Sequence, residues 1–217
     1  IEFSKALAGR LGMISNFDLV EAPESKVLFP KHKQSIKDLE LAEQGVFARR
    51  QECSNVFKGI EMIASTYGFS GIEPNTVLMG WARNTKDPIW FSQMTQRLHD
   101  LDYNVLYLDY DKRRGFGNYA TIDICWDTFS HDCEFMLSLV KLIQTSNEWR
   151  HATVRVLMVN NQNDQRLAVE DQISELLQEM RITASIKVIN NSIENRSFYD
   201  IIKSYSFDTD LVFISIP

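Results

Sequence analysis

The sequence predicts an α/β protein, a mostly parallel sheet flanked by helices with one antiparallel hairpin, and three observations carry that expectation. From residue 76 onward, short β-rich runs alternate with amphipathic stretches, the pattern of a sheet covered by helices. At 217 residues, 44% hydrophobic and 24% charged, the chain has globular composition and enough length to bury a core without disulfides or metal. Finally, the connection around Gly115 and Gly117 is too short for a parallel crossover, which places the hairpin there.

Upstream, residues 2–11 read as helical and 13–20 as extended, and 21–30 form a loop containing Pro23 and Pro30. A long helical stretch follows, in which Cys53, Val56, Phe57, Ile60, Ile63, Ala64 and Tyr67 repeat at the 3.6 period. Gly68 and Gly71 stop it. A helix, a strand and a helix cannot close a core. Residues 1–70 are therefore expected either to pack on the second part or to be the remnant or end of a first α/β half, with 71–217 the second.

In the second half, residues 76–81 (TVLMGW) read as a buried strand. Pro88 opens a helix that carries Trp90, Met94, Leu98 and Leu101 on one face. Residues 104–109 (NVLYLD) and 121–126 (TIDICW) are the strands assigned to the hairpin, joined through 110–118. Next come a helix over 133–145, apolar at Met136, Leu139, Val140 and Ile143, and the strand 153–159. A helix over 164–180 has Val169, Ile173, Leu176, Leu177 and Met180 on one face and Asp164 as its N-cap. A run at 185–189, a short helix through Phe198, Ile201, Ile202 and Tyr205, and a strand at 211–216 complete the pattern.

Charge and composition exclude several function classes. The formal net charge is −6, and residues 71–217 hold all of the excess, with 14 basic and 20 acidic side chains. Such a surface repels phosphate backbones, so no nucleic-acid partner is expected. The basic triplet Lys112, Arg113 and Arg114 has Asp109 and Asp111 beside it and reads as a solvated loop. The longest apolar run, 77–82, is far short of a membrane span of about 20 residues, so this segment is not expected to enter the bilayer. Cys53, Cys125 and Cys133 form no CxxC pair and read as reduced cytosolic thiols. A first residue that is not methionine suggests a piece of a longer protein.

The motifs that could carry chemistry are each defeated by context. Gly115-Phe116-Gly117-Asn118-Tyr119-Ala120 matches the G-x-G-x-x-A form of a dinucleotide fingerprint, but a β-branched run follows where the fingerprint needs a helix. All nine glycines lie at or before Gly117, so the last hundred residues offer no glycine-built phosphate loop. Asn160, Asn161, Gln162 and Asn163 form a polar turn at the end of a strand, where open α/β sheets bind ligands, although such a run is commonly just a turn. Ser130-His131-Asp132 is a triad only in print, because sequence neighbours point apart. Asp123, Asp127, His131, Asp132 and Cys133 read as capping and solvated groups rather than a metal site. Asp100, Asp102, Asp109 and Asp111 read as turn residues, and His32, His99, His131 and His151 are scattered without ligand spacing. No catalytic, cofactor-binding or metal-binding residue is assigned, and no enzyme is expected.

The run 68–81 (GFSGIEPNTVLMGW) resembles the G-x-x-x-x-x-P-N-T-hydrophobic-G segment in the cytosolic C-terminal domain of cation-chloride cotransporters. Three later stretches keep the family's order: 122–126 (IDICW) is similar to its IDVWW strand, 154–157 (VRVL) to its KIRVF strand, and 211–217 (LVFISIP) to its hydrophobic-S-L-P strand. The resemblance implies a two-part domain with universal-stress-protein-like halves, on the cytoplasmic side of the cell membrane behind a transmembrane bundle that moves chloride with sodium or potassium. It implies a regulatory and dimerisation role, a homodimer, no cofactor and no catalysis. Two departures limit the carry-over: residues 127–132 (DTFSHD) replace the acidic-glycine turn of animal members, and only the short turn 110–118 stands where they carry a long inserted loop. The missing insertion points to a prokaryotic source. The alternative is a nucleotide-sensing, universal-stress-like domain that binds ATP or a related ligand.

Overall fold

The structure is a computed structural model that describes residues 1–9, 12–23, 36–68, 73–82, 85–126, 132–160, 166–192 and 196–216. It divides into two compact units, one of Met13–Arg113 with Ile1, the other of Glu2–Gly12 with Arg114–Pro217. The 70/71 boundary read from the sequence falls inside the first unit.

In the first unit, β1 (Ile14–Glu21) pairs in parallel with β2 (Val46–Cys53), from Ile14 opposite Val46 to Glu21 opposite Cys53. Between them, α2 (Ile36–Glu43) ends at Gly45, whose φ of +76° is open to glycine at no steric cost. The expected long helix is thus interrupted by β2. Helix-tolerant residues 48–52 (ARRQE) are held extended by main-chain pairing with β1, an instance of tertiary context overriding propensity. α3 (Val56–Thr66) starts at Asn55, whose side-chain oxygen accepts from the amides of Phe57 at 2.9 Å and Lys58 at 3.3 Å. β3 (Thr76–Gly80) and β4 (Asn104–Leu108) form a second parallel pair, bridged by α4 (Pro88–Asp100) with proline in its first turn. Tyr103 Oη donates to the carbonyl of Ala64 at 2.9 Å, and the rings of Phe57 and Phe91 meet edge to face at 6.0 Å, so α3 and α4 pack together.

The second unit is a four-stranded parallel sheet in the order β7-β6-β5-β8, where β5 is Thr121–Trp126, β6 Thr153–Asn160, β7 Ala184–Asn190 and β8 Leu211–Ile214. α1 (Glu2–Ala8), α5 (Asp132–Ile143), α6 (Arg166–Glu179) and α7 (Phe198–Tyr205) belong to it. Central strand β5 is buried on both faces. Cys125 joins Leu157, Val159, Ile189, Ile201 and Ile202 under α7, while Ile122 and Ile124 point the other way and are fully buried. α5, the connection from β5 to β6, packs against β5, and α6, the connection from β6 to β7, packs against β7. Phe3 of α1 stacks on Phe116 at 5.3 Å, and Phe116 and Tyr119 pack edge-on against buried Trp149.

The antiparallel hairpin expected at 104–126 is corrected. β4 pairs only with β3, β5 pairs with β6 and β8, and every described pairing is parallel. Loop length distinguishes a hairpin from a crossover only when both strands share a sheet. Here the connection carries the chain from one sheet to another, folding on itself through bonds such as Arg113 N to Asp111 Oδ1 at 2.8 Å and Tyr119 N to Phe116 O at 3.2 Å.

The lack of glycine after Gly117 has a structural cost at the end of α6. Arg181 sits at φ +54°, where the amide of Ile182 reaches back to the carbonyl of Leu177 at 2.9 Å, a turn that usually employs glycine. Arg181→Gly should therefore raise the unfolding free energy by about 0.5–1 kcal/mol, net of the looser unfolded chain. Urea denaturation reads the change, and an unchanged or lower midpoint would contradict it.

Candidate functional site

The densest polar constellation among the described residues is centred on Asp123. The parallel register of β5 and β6 puts Asp123 directly opposite Arg155, on the face that two residues later carries Cys125 and Leu157 into the core under α7. Arg155 donates from Nε to Asp123 Oδ1 at 2.9 Å and from Nη2 to Oδ2 at 2.7 Å, a two-pronged pair. The hydroxyls of Ser206 and Thr209 donate to Oδ2 at 2.6 and 2.8 Å. Arg155 Nη2 also caps the carbonyl of Tyr205 at the end of α7, at 3.0 Å. The carboxylate is 2% exposed and the guanidinium side chain 31%. Its hydrogen bond to Asp123 raises the Arg155 pKa against the opposing effect of burial, so the cation persists at every working pH. With both oxygens engaged and the side chain buried, Asp123 is a structural group of the core and not the solvated residue that the sequence reading expected.

A second carboxylate lies beside the first. Asp210 accepts from the amides of Asn118 at 3.3 Å, Ala120 at 2.8 Å and Thr121 at 3.1 Å, and from the Thr121 hydroxyl at 3.2 Å. Partial burial works to raise its pKa, but these hydrogen bonds outweigh it and hold the Asp210 carboxyl below the usual value. Gly117 makes the approach possible, because a Cβ there would collide with Asp210 Oδ1. The strand that defeats the dinucleotide fingerprint is β5, as expected, and a carboxylate of the chain itself sits on the loop's amides.

The remaining sequence candidates do not converge. The Asp132 carboxylate accepts from Ser215 Oγ at 2.5 Å, and Cys133 is buried. These two residues stand near the C-terminal ends of β5 and β8, where the strand order reverses and open sheets bind ligands. Asp127, Ser130 and His131 lie outside the described residues, as do His32, Gly71, Asp164 and the turn at Asn161, Gln162 and Asn163. The carbonyl of Asn160 accepts from Asn191 at 2.9 Å, which ties the end of β6 to the end of β7. Asp100 accepts from Gln96, Asp111 from the amide of Arg113, and His151 from Arg150. Among the described residues no group of three His, Cys, Asp or Glu side chains could hold a metal ion. Burial raises the Cys53 and Cys125 pKa values, with Glu21 and Asp123 adding to the effect, so neither thiol is an activated nucleophile. An open depression lined by Arg196, Asp200, Lys203, Ser204 and Phe207 lies on the surface of α7.

Sequence reading missed the Asp123–Arg155 pair and the roles of Ser206, Thr209 and Asp210. The one available signal was a charged residue at the same place in each of two buried strands, Asp in TIDICW and Arg in TVRVLMV. Asp123→Ala leaves Arg155, Ser206 and Thr209 without their common acceptor and should cost about 2–4 kcal/mol, less than a fully buried pair because water reaches the arginine. Chemical denaturation checks this. For Asp210 the depressed pKa contributes stability above the ordinary carboxylate value that is lost as pH falls through the folded value. The stability gap between wild type and Asp210→Asn should therefore narrow as pH drops below about 4. A gap independent of pH would contradict that assignment.

The sequence matches no protein-family model. Its structure is similar to one solved as the cytoplasmic domain of a prokaryotic cation chloride cotransporter, with 16% sequence identity over 82% of this chain and 79% of that chain and a TM-score of 0.56. The likeness is one of fold, and the chain has the fold of that cytoplasmic domain.

Proposed function

We propose that this chain is a non-enzymatic regulatory and dimerisation domain of a cation-chloride-cotransporter-like membrane protein, held on the cytoplasmic side of the cell membrane. Transport of chloride with sodium or potassium would be the work of a transmembrane part of the same parent chain. The observation that carries this reading is the fold likeness to a transporter's cytoplasmic domain. The four stretches that resemble the family support it, since they fall in order on β3, β5, β6 and β8. Among the described residues no helix is long and apolar enough to cross a membrane. Among the described residues, Asp123, Arg155, Ser206, Thr209 and Asp210 are engaged in holding strands and loops together. Residues 1–70 would end a first half of the domain and 71–217 form the second.

The physical ground for a homodimer is α3, whose Val56, Phe57, Ile60 and Ile63 are only half-buried and whose Met62 is exposed. A second copy can cover such a face. Sedimentation from micromolar to millimolar concentration should show a monomer–dimer equilibrium, and a species monomeric throughout would remove dimerisation from the reading. Flux of chloride into proteoliposomes that hold the parent protein should change in rate, without loss of ion selectivity, when this domain is deleted. An unchanged flux would remove regulation.

The strand reversal at β5 is the observation that favours the alternative, a nucleotide sensor, because ligands of open sheets bind there. Against it stand the net charge of −6 and a glycine loop whose amides already hold Asp210. Calorimetry with ATP and magnesium should show no saturable binding. Micromolar affinity would transfer support to the sensor.

A further inference from the structure

The loop that fails as a dinucleotide fingerprint still performs the physical task of a phosphate loop. Gly115, Gly117 and Tyr119 have φ of 63°, 57° and 57° and alternate with residues of ordinary φ. That alternation turns the N–H groups of Asn118, Ala120 and Thr121 toward one side, a concavity for an anion, while those of Gly117 and Tyr119 donate to the carbonyls of Arg114 and Phe116 within the loop. The amides of Asn118, Ala120 and Thr121, with the Thr121 hydroxyl, converge on the two oxygens of one carboxylate, and Gly117 leaves the space through which it approaches.

We propose that residues 115–121 are an anion-binding site whose resident ligand is the protein's own Asp210, and that this site accepts a small oxoanion, a carboxylate or a phosphate, once that side chain is removed. Main-chain amides read charge, size and planarity, none of which separates a side-chain carboxylate from a free one. Occupancy by Asp210 is favoured because it is tethered. The hydroxyl of Thr209 is bonded to Asp123, and Arg114 donates to the carbonyls of Phe207 at 3.1 Å and Thr209 at 3.5 Å, so the aspartate is presented at high effective concentration. Free anions at millimolar levels should therefore not displace it. The site thus acts as a latch between the start of β5 and the start of β8, independently of whether the parent protein is a transporter.

The test is anion rescue. Asp210→Ala should lower the melting temperature by about 5–10 °C, and sodium formate should restore part of that loss saturably, beyond sodium chloride at equal ionic strength. Wild type should respond to the two salts alike. Sodium phosphate in a parallel series distinguishes the ligand class: stronger rescue by formate assigns a planar carboxylate site, and stronger rescue by phosphate a tetrahedral one. Equal effects of formate, phosphate and chloride on the variant, or a variant as stable as wild type, would overturn the proposal. If Asp210→Ala does not fold alone, refolding in formate but not in chloride supports it, and failure in both overturns it. In wild type, the Asn118, Ala120 and Thr121 amides should exchange hydrogen at least about tenfold more slowly than unprotected amides, and unprotected exchange would likewise overturn it.

Discussion

A carboxylate in the middle of a buried parallel strand must be answered by groups that the same fold supplies, and the second unit is arranged around that demand at Asp123. An unpaired charge there would cost several kcal/mol, far more than one strand pairing contributes. Arg155 answers it from the neighbouring strand only in the observed register. A slip of one residue would turn Arg155 to the opposite face and leave the buried aspartate without a cation. Such a pair adds little net stability over an apolar substitute, so its effect here lies in fixing the register of β5 against β6.

The same carboxylate also decides where the chain returns. After α7 the sequence could continue beside β7, the strand it has just left, yet β8 lies on the far side of β5. The segment between α7 and β8 is bonded to β5 and to the loop before it at successive points. Ser206 and Thr209 reach Asp123, Asp210 accepts from the amides of Asn118, Ala120 and Thr121, and Arg114 reaches the carbonyls of Phe207 and Thr209. Strand β8 spans only Leu211–Ile214, too short to choose its neighbour by main-chain pairing alone. These polar contacts deliver it to β5 and thereby create the strand reversal.

That arrangement bears on function by showing what the polar residues are for. Asp123, Arg155, Ser206, Thr209 and Asp210 have the composition of an active site but face one another, and their hydrogen-bonding capacity is directed to the fold.

The sequence by itself determined the elements whose signal is local. The helical spacing of Met136, Leu139, Val140 and Ile143, the proline that opens α4 and the β-branched runs at 121–126 and 153–159 each specify one conformation through neighbours within a few residues. The α/β class and the parallel character followed from their order. Only the tertiary structure decided which strands are neighbours. Residues 48–52 became part of a strand because β1 offered them hydrogen bonds, and the strands at 104–108 and 121–126 entered different sheets although a short loop joins them. The partners of Asp123 lie 32, 83 and 86 residues away, and those of Asp210 about ninety, so no window of sequence contains both members of any pair. Local periodicity fixes conformation because its interactions are short-range, whereas register, strand order and the match of each buried charge depend on contacts that exist only once the chain has folded.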